Sequence, residues 1–393
     1  MSVDTVGGVV WVTNRGAGAW GSDTLTATPA TTIGSIEGDP AYLFGQVSGL
    51  AADSMGRVYV TDLHATSVRV YSPEGRHLGT IGREGEGPGE FTRPVGPAVT
   101  PDGTLFVRDE TRITRFVPAP PGEASWKADR TWPGPPYAFS LEATRLGADG
   151  RFFFPVSRGR MEDQRHGYLV YGRTGELEDT LWVPEFDNLP PATAFFRTGR
   201  SGGVMVAGLS RAPFAAVPAW DVSTGGTLLS SGGREYRITE TDDRGDTLRV
   251  FGREVAPRAV PEAELRDSTA ELRRRIAEAP APLERLEGVA EEVRSGRLPG
   301  AYPEVLGVDA ASDGRIWVER WPAAGANARS LFDVFEPWGR YLGSVAVPAR
   351  FATEPRPAIT ASRIYGVVTD PETGVQRIRG FEFRAPEARP SGR

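Results

Sequence analysis

The 393 residues carry a formal net charge of −6, 48 glycines, 33 prolines and no cysteine. The acidic balance argues against a general nucleic-acid binder, and the missing thiols exclude disulfides, thiol catalysis and cysteine-ligated metals. Glycine and proline at this level suit many short strands and tight turns, and no apolar run approaches the roughly 18–20 residues of a membrane-spanning helix. Lys127 is the only lysine among the 45 basic residues, a skew read as the coding bias of a GC-rich genome.

The first residues, MSVDTVGGVVWVTN, lack the basic start and apolar stretch of a signal peptide. Two cases follow: the chain stays inside the cell, or residue 1 is not the start of the precursor.

A repeat governs the rest. VSGLAADSMGRVYVTD (47–62) and VGPAVTPDGTLFVRD (95–109) share one order of apolar run, glycine turn, strand and aspartate. Gly56 to Gly103, Asp62 to Asp109 and Gly103 to Gly150 are each 47 residues. WDVSTGGTLLS (220–230) and LGVDAASDGRIWVER (306–320) repeat the strand–turn–strand pattern, and a second hairpin follows, as in SVRVYSPEGRHLGTIG (67–82). Four short strands per unit at such a period is the arithmetic of a propeller blade. The blades are placed at about 47–82, 94–132, 140–183, 214–252, 304–347 and 359–383. The last supplies only three strands, so TPATTIG (28–34) is expected to provide the fourth and close the ring.

GREGEGPGEFTRPVG (82–96) looks like a phosphate-binding loop. Such a cradle leads into a helix N-terminus, and no helical pattern follows Gly89. A fainter copy stands at 33–47, so the loop reads as a joint between an outer strand and the next blade.

With GEGPGEFTRPVG, the DG turns at 102–103 and 313–314, and the strand-ending Asp62 and Asp109, the sequence resembles the bacterial six-bladed β-propellers related to NHL-repeat proteins. The resemblance covers about residues 28–383 and implies an all-β fold, with export or an envelope location as in relatives of that kind. It is poorly specific for activity, because propellers host many functions.

Two insertions interrupt the period in what is read as a single propeller domain. Residues 184–213 form an extra hairpin setting Phe195 and Phe196 against Val204, Met205 and Val206. Neighbouring strand side chains point to opposite faces, so one of the two phenylalanines faces outward. Residues 258–298, between blades 4 and 5, read as two helices: Leu265, Leu272 and Ile276 share one face, and Leu283, Leu286, Val289 and Val293 another, with Pro280 and Pro282 between them. The tail 384–393, rich in Pro and Arg, is expected to be mobile unless something holds it.

The chemistry is sparse. His64 after the Asp62 strand, with Arg93 and Asp109 of the next blade, is the candidate constellation at the channel mouth. The competing reading has the two aspartates accepting turn hydrogen bonds from the backbone, with His64 exposed. GLSRA (208–212) is not a nucleophile elbow, and ETDDRGD (240–246) lacks the spacing of a calcium loop. Recognition residues are better represented: Phe195, Phe196, Arg197, Arg200 and Met205 on the hairpin, and Arg384 and Arg389 on the tail, are the candidate partner contacts. The expectation is a non-enzymatic scaffold propeller without cofactor or metal, an extrinsic subunit of a larger protein assembly such as a membrane-bound bioenergetic or photosynthetic complex. The alternatives are a propeller lyase or metal-assisted hydrolase working at the channel mouth, and a sugar- or peptide-binding envelope protein.

Overall fold

The computed structural model describes residues 1–21, 24–109, 112–119, 125–134, 144–159, 165–186, 193–198, 204–210, 212–277, 296–321 and 330–386. Strands β1 (Ser2–Val6), β2 (Val9–Asn14), β3 (Leu25–Thr26) and β4 (Thr28–Ile33) come first. Blade 1 follows with β5 (Val47–Ala52), β6 (Val58–Asp62), β7 (Val68–Tyr71) and β8 (His77–Ile81). Blade 2 holds β9 (Pro94–Val99), β10 (Leu105–Asp109), β11 (Arg112–Pro118) and β12 (Trp126–Pro133). Blade 3 holds β13 (Arg145–Leu146), β14 (Phe152–Arg158), β15 (Arg165–Tyr171) and β16 (Leu177–Trp182).

The extra hairpin is β17 (Thr193–Thr198) with β18 (Val204–Ser210), paired only with each other. Blade 4 contains β19 (Ala219–Val222), β20 (Leu228–Ser231), β21 (Arg237–Thr241) and β22 (Thr247–Arg253), and is followed by helix α1 (Glu262–Ala277). Blade 5 contains β23 (Gly307–Ala310), β24 (Ile316–Arg320), β25 (Ser330–Phe335) and β26 (Tyr341–Val347). Blade 6 is β27 (Ala358–Ile359), β28 (Arg363–Thr369), β29 (Gln376–Glu382) and, from the other end of the chain, β4. Strand β4 pairs antiparallel with β29, Ile33 opposite Ile378, and supplies the closing strand.

The repeat is legible atom by atom. Gly56, Gly103, Gly150, Gly226 and Gly314 hold the first turn of their blades at φ between 77° and 86°, a region that favours glycine. Three residues later Tyr59, Phe106, Phe153, Leu229 and Trp317 are buried on second strands. Six apolar clusters result among the described residues, each drawn from two neighbouring blades. The cluster with Tyr365, Val367 and Ile378 of blade 6 beside Val47, Val58 and Tyr71 of blade 1 completes the circuit. The core of this protein is thus a ring of interfaces, not one central mass.

The N-terminal segment does more than close blade 6. Val-Gly-Gly-Val turns β1 back on β2 through Gly7 and Gly8, at φ 58° and 86°, as a two-residue hairpin requires. Strand β2 then lies parallel to β22 at the outer edge of blade 4, and β3 lies parallel to β26 of blade 5. Asn14 pins this strap between the two blades. Its Nδ2 donates to Gly252 O and Gly339 O, both at 2.9 Å, and its Oδ1 accepts from Tyr341 N at 2.9 Å. Farther along, any side chain at Gly18 would run into the Leu342 carbonyl, which explains the glycine there.

The insertions share a face by parity. Strands alternate in direction within a blade, so the fourth-to-first connections and the second-to-third loops emerge together, while the glycine turns emerge opposite. The hairpin lies between β16 and β19, and α1 between β22 and β23; both are fourth-to-first connections. Leu272 is buried under α1 and Leu265 is half-buried, as their shared face requires. The second helix expected around Leu283–Val293 lies outside the described residues. No helix among the described residues is long and apolar enough to cross a membrane.

Candidate functional site

The glycine-rich loop fills its own anion position. Glu90 accepts from Gly87 N at 2.9 Å, and a side chain at Gly85 would collide with the same carboxylate. Arg112 donates to the carbonyls of Gly85, Glu86 and Glu90, and Phe91, fully buried, plugs the loop into the interface of blades 1 and 2. The next element is strand β9, not a helix. The loop is a joint whose Gly85, Gly87, Glu90 and Phe91 N–H groups donate within the loop itself.

Asp62 and Asp109 do the same work one blade apart. Asp62 accepts from Gly45 N (2.8 Å), Gln46 N (3.0 Å) and His64 N (2.9 Å). Asp109 accepts from Thr92 N and Arg93 N, and Arg112 Nε lies 3.0 Å from it. Both carboxylates are buried, and each ties the incoming joint to the end of its second strand. The His64 and Arg93 side chains are exposed at the surface. His64 meets Asp62 through its backbone N–H, so these four residues are brought together as two turn clamps.

On the hairpin, the register sets Phe195 opposite Gly208, Phe196 opposite Val206 and Arg197 opposite Met205. Only the backbone of these residues is described. Arg200 and Arg389 lie outside the described residues, and Arg384 is exposed.

What ties the insertions to the ring is a cluster that sequence reasoning did not assemble. Phe214 follows the hairpin, Tyr302 follows the helical insertion, and Trp321 directly follows β24; their ring centroids are 5.2–6.0 Å apart. The Arg258 guanidinium stands 4.9 Å over Tyr302 and donates to Trp321 O at 3.0 Å, while the Tyr302 hydroxyl donates to Glu264 of α1. Phe214 holds φ +62°, unusual for a bulky residue and affordable only where packing fixes it.

A second unforeseen group surrounds the axis. The residue five before the turn glycine, on the innermost strand, is Ala51 and Ala98 in blades 1 and 2. It is Arg145, Asp221 and Asp309 in blades 3, 4 and 5. Arg145 forks onto Asp221 at 2.6 and 2.8 Å and lies 3.8 Å from Asp309. Asp221 also accepts from Ala310 N at 2.8 Å, and Arg356, ahead of blade 6, approaches Asp309 at 3.6 Å. Burial alone would lower the Arg145 pKa, but the paired Asp221 outweighs it and the pKa is raised. Burial raises that of Asp309. These charges knit blades 3 to 6 together around the axis. Superposing the blades on their turn glycines would have found them, because each lies five residues before its glycine.

Among the described residues, no three His, Cys, Asp or Glu side chains cluster as a metal site would require. No protein-family description and no curated protein matches the sequence. Solved structures do resemble it. A candidate exported protein from Bacteroides fragilis is 10% identical, with TM-score 0.45 over 96% of this chain and 100% of its own. Virginiamycin B lyase from Staphylococcus aureus is 11% identical, with TM-score 0.35 over 86% of this chain and 94% of its own. The calcium-binding protein regucalcin from Agrobacterium tumefaciens is 11% identical, with TM-score 0.33 over 95% of this chain and 97% of its own. At these values the likenesses carry no argument about activity. Strand order, register and the six inter-blade cores make the chain a six-bladed β-propeller closed by its own N-terminal strand.

Proposed function

We propose that this propeller is a non-enzymatic docking module that binds a protein partner through its insertion-bearing face, as an extrinsic subunit of a larger assembly. One observation carries the reading. Two insertions that the ring does not need emerge on one face and are fastened by a single aromatic–arginine cluster, Phe214, Tyr302 and Trp321 with Arg258. A rigid platform of this kind lowers the ordering cost of association. The hairpin residues Phe195, Phe196, Arg197, Arg200 and Met205 supply residue types favoured at interface centres. Export or a place at the cell envelope is the setting that the sequence resemblance implies for it.

The test is the double substitution Phe195→Ser with Phe196→Ser, followed by melting and by quantitative co-purification from the native source. A partner recovered in stoichiometric amount with the parent protein should be lost from the variant. Affinity is expected to fall by more than about 2 kcal/mol with little change in melting. A drop in stability with unchanged partner recovery would assign the doublet to anchoring its own hairpin and overturn the docking reading.

A further inference from the structure

The six-stranded sheet of blade 4 ends on an open strand. β1 pairs with β2 along one side, and among the described residues no strand lies along the other. The hairpin fixes which backbone groups are left over. Gly7 and Gly8 form a two-residue turn, so Val6 and Val9 close it as a hydrogen-bonded pair. Partners then alternate: Ser2, Asp4 and Val6 turn their N–H and C=O groups towards β2, while Val3 and Thr5 turn theirs away. The free edge thus presents donors and acceptors at the spacing of a further strand.

Its side chains are open as well. Val3, Val6, Trp11 and Leu248 are four of the nine exposed large apolar side chains among the described residues, and all four lie on β1, β2 or the neighbouring β22. The reason is a step in the ring. The face with Val12 and Phe251 packs on blade 5. The other face, with Asp4, Val6, Trp11 and Leu248, turns towards blade 3, whose sheet stops at its fourth strand while blade 4 runs on for two more.

One charge stands in the middle of this edge. Asp4 is exposed and has no hydrogen-bond or ion-pair partner among the described residues; Arg15, which feels its charge, is already paired with Glu254. Because its own N–H and C=O face β2, Asp4 would meet an antiparallel neighbour in a non-hydrogen-bonded pair, where side chains stand closest. A second copy of β1 paired over its whole length would set Asp4 against Asp4, which like charge disfavours. A basic residue satisfies the position.

We propose that the outer edge of β1 accepts an extended strand of a partner protein, antiparallel, with a basic residue facing Asp4 and apolar residues facing Val3 and Val6. The site lies on the rim of blade 4 and does not rest on the docking function of the insertion-bearing face.

The experiment titrates the full chain with two fluorescein-labelled peptides, Thr-Val-Thr-Lys-Val-Thr and the same sequence with Glu in place of Lys. Binding is read by anisotropy and by hydrogen exchange of the Val3 and Thr5 amides, which should become protected. The lysine peptide should bind roughly fivefold tighter than the glutamate peptide, and Asp4→Lys should reverse that order. Thr5→Pro removes an outward donor without touching the ladder to β2, so it should abolish binding and leave melting unchanged. Should that variant melt early, the reversal in Asp4→Lys decides. No binding, equal affinity for the two peptides, or binding that leaves Val3 and Thr5 unprotected overturns the proposal. A dimer in sedimentation that Thr5→Pro dissolves would place a second copy on the edge and overturn it too. Phe195→Ser with Phe196→Ser should leave peptide binding intact; a loss there would move the peptide off β1 and overturn the assignment.

Discussion

Blades 1 to 3 and blades 4 to 6 solve the same problem in different ways. Each blade ends in an outer strand whose free edge invites pairing with other chains. In blades 4 and 5 that edge is covered by β2 and β3 of the N-terminal strap, and in blade 6 the strap supplies β4, the fourth strand itself. In blades 1 to 3 the fourth strand is the last of its sheet, and the protection is local. β8 is short, β12 carries Lys127, Asp129 and Arg130, and β16 carries Glu178 and Asp179. The difference teaches that closure here is spread over half of the ring, not confined to one blade.

The largest effect should come from truncation. Removing residues 1–35 takes β4 from blade 6 as well as the strap, and is expected to abolish cooperative unfolding and promote aggregation. Removing only residues 1–27 leaves the closing strand, so unfolding should stay cooperative at a lower Tm. Equal melting of both truncations and the full chain, by calorimetry, would erase the contrast between the two halves.

A smaller and sharper probe is Asn14→Ala, which strips the pin between blades 4 and 5 and leaves Gly252 O, Gly339 O and Tyr341 N without that partner. Denaturant unfolding should register a loss of about 2–3 kcal/mol. A change below about 0.5 kcal/mol would mean that the strap is an ornament. The smallest effect is expected in the uncovered half: His64→Ala, at an exposed position of blade 1, should stay within about 0.5 kcal/mol of the parent. A larger loss would show that the His64 ring, which packs over Gly45, steadies that joint.

The ring was legible because its signals are local and repeated. The glycine turns that need positive φ and the clamping aspartates recur at 47 residues in the first blades, and even the closing strand could be assigned from the three-strand count of blade 6. The strap was harder. Its hairpin is written in VGGVVWV, but parallel pairing of β2 with β22 joins residues more than two hundred apart and leaves no periodic trace. The axial charges were hidden for another reason. Arg145, Asp221 and Asp309 look like isolated surface charges until the blades are superposed and the ring brings them face to face. Phe214, Tyr302 and Trp321 likewise meet only because two insertions fold back onto one blade.

The strap also imposes an order on synthesis. Its residues are made before the ring they join, yet Asn14 finds Gly339 only 325 positions later, and Thr28 finds Glu382 only after 354. Until blades 4 to 6 are made, β2, β3 and β4 lack their partners in the ring, while blades 1 to 3 can already stack on one another. The nascent chain is therefore an open arc with an adhesive leading end, and its shelter arrives with the last strand made.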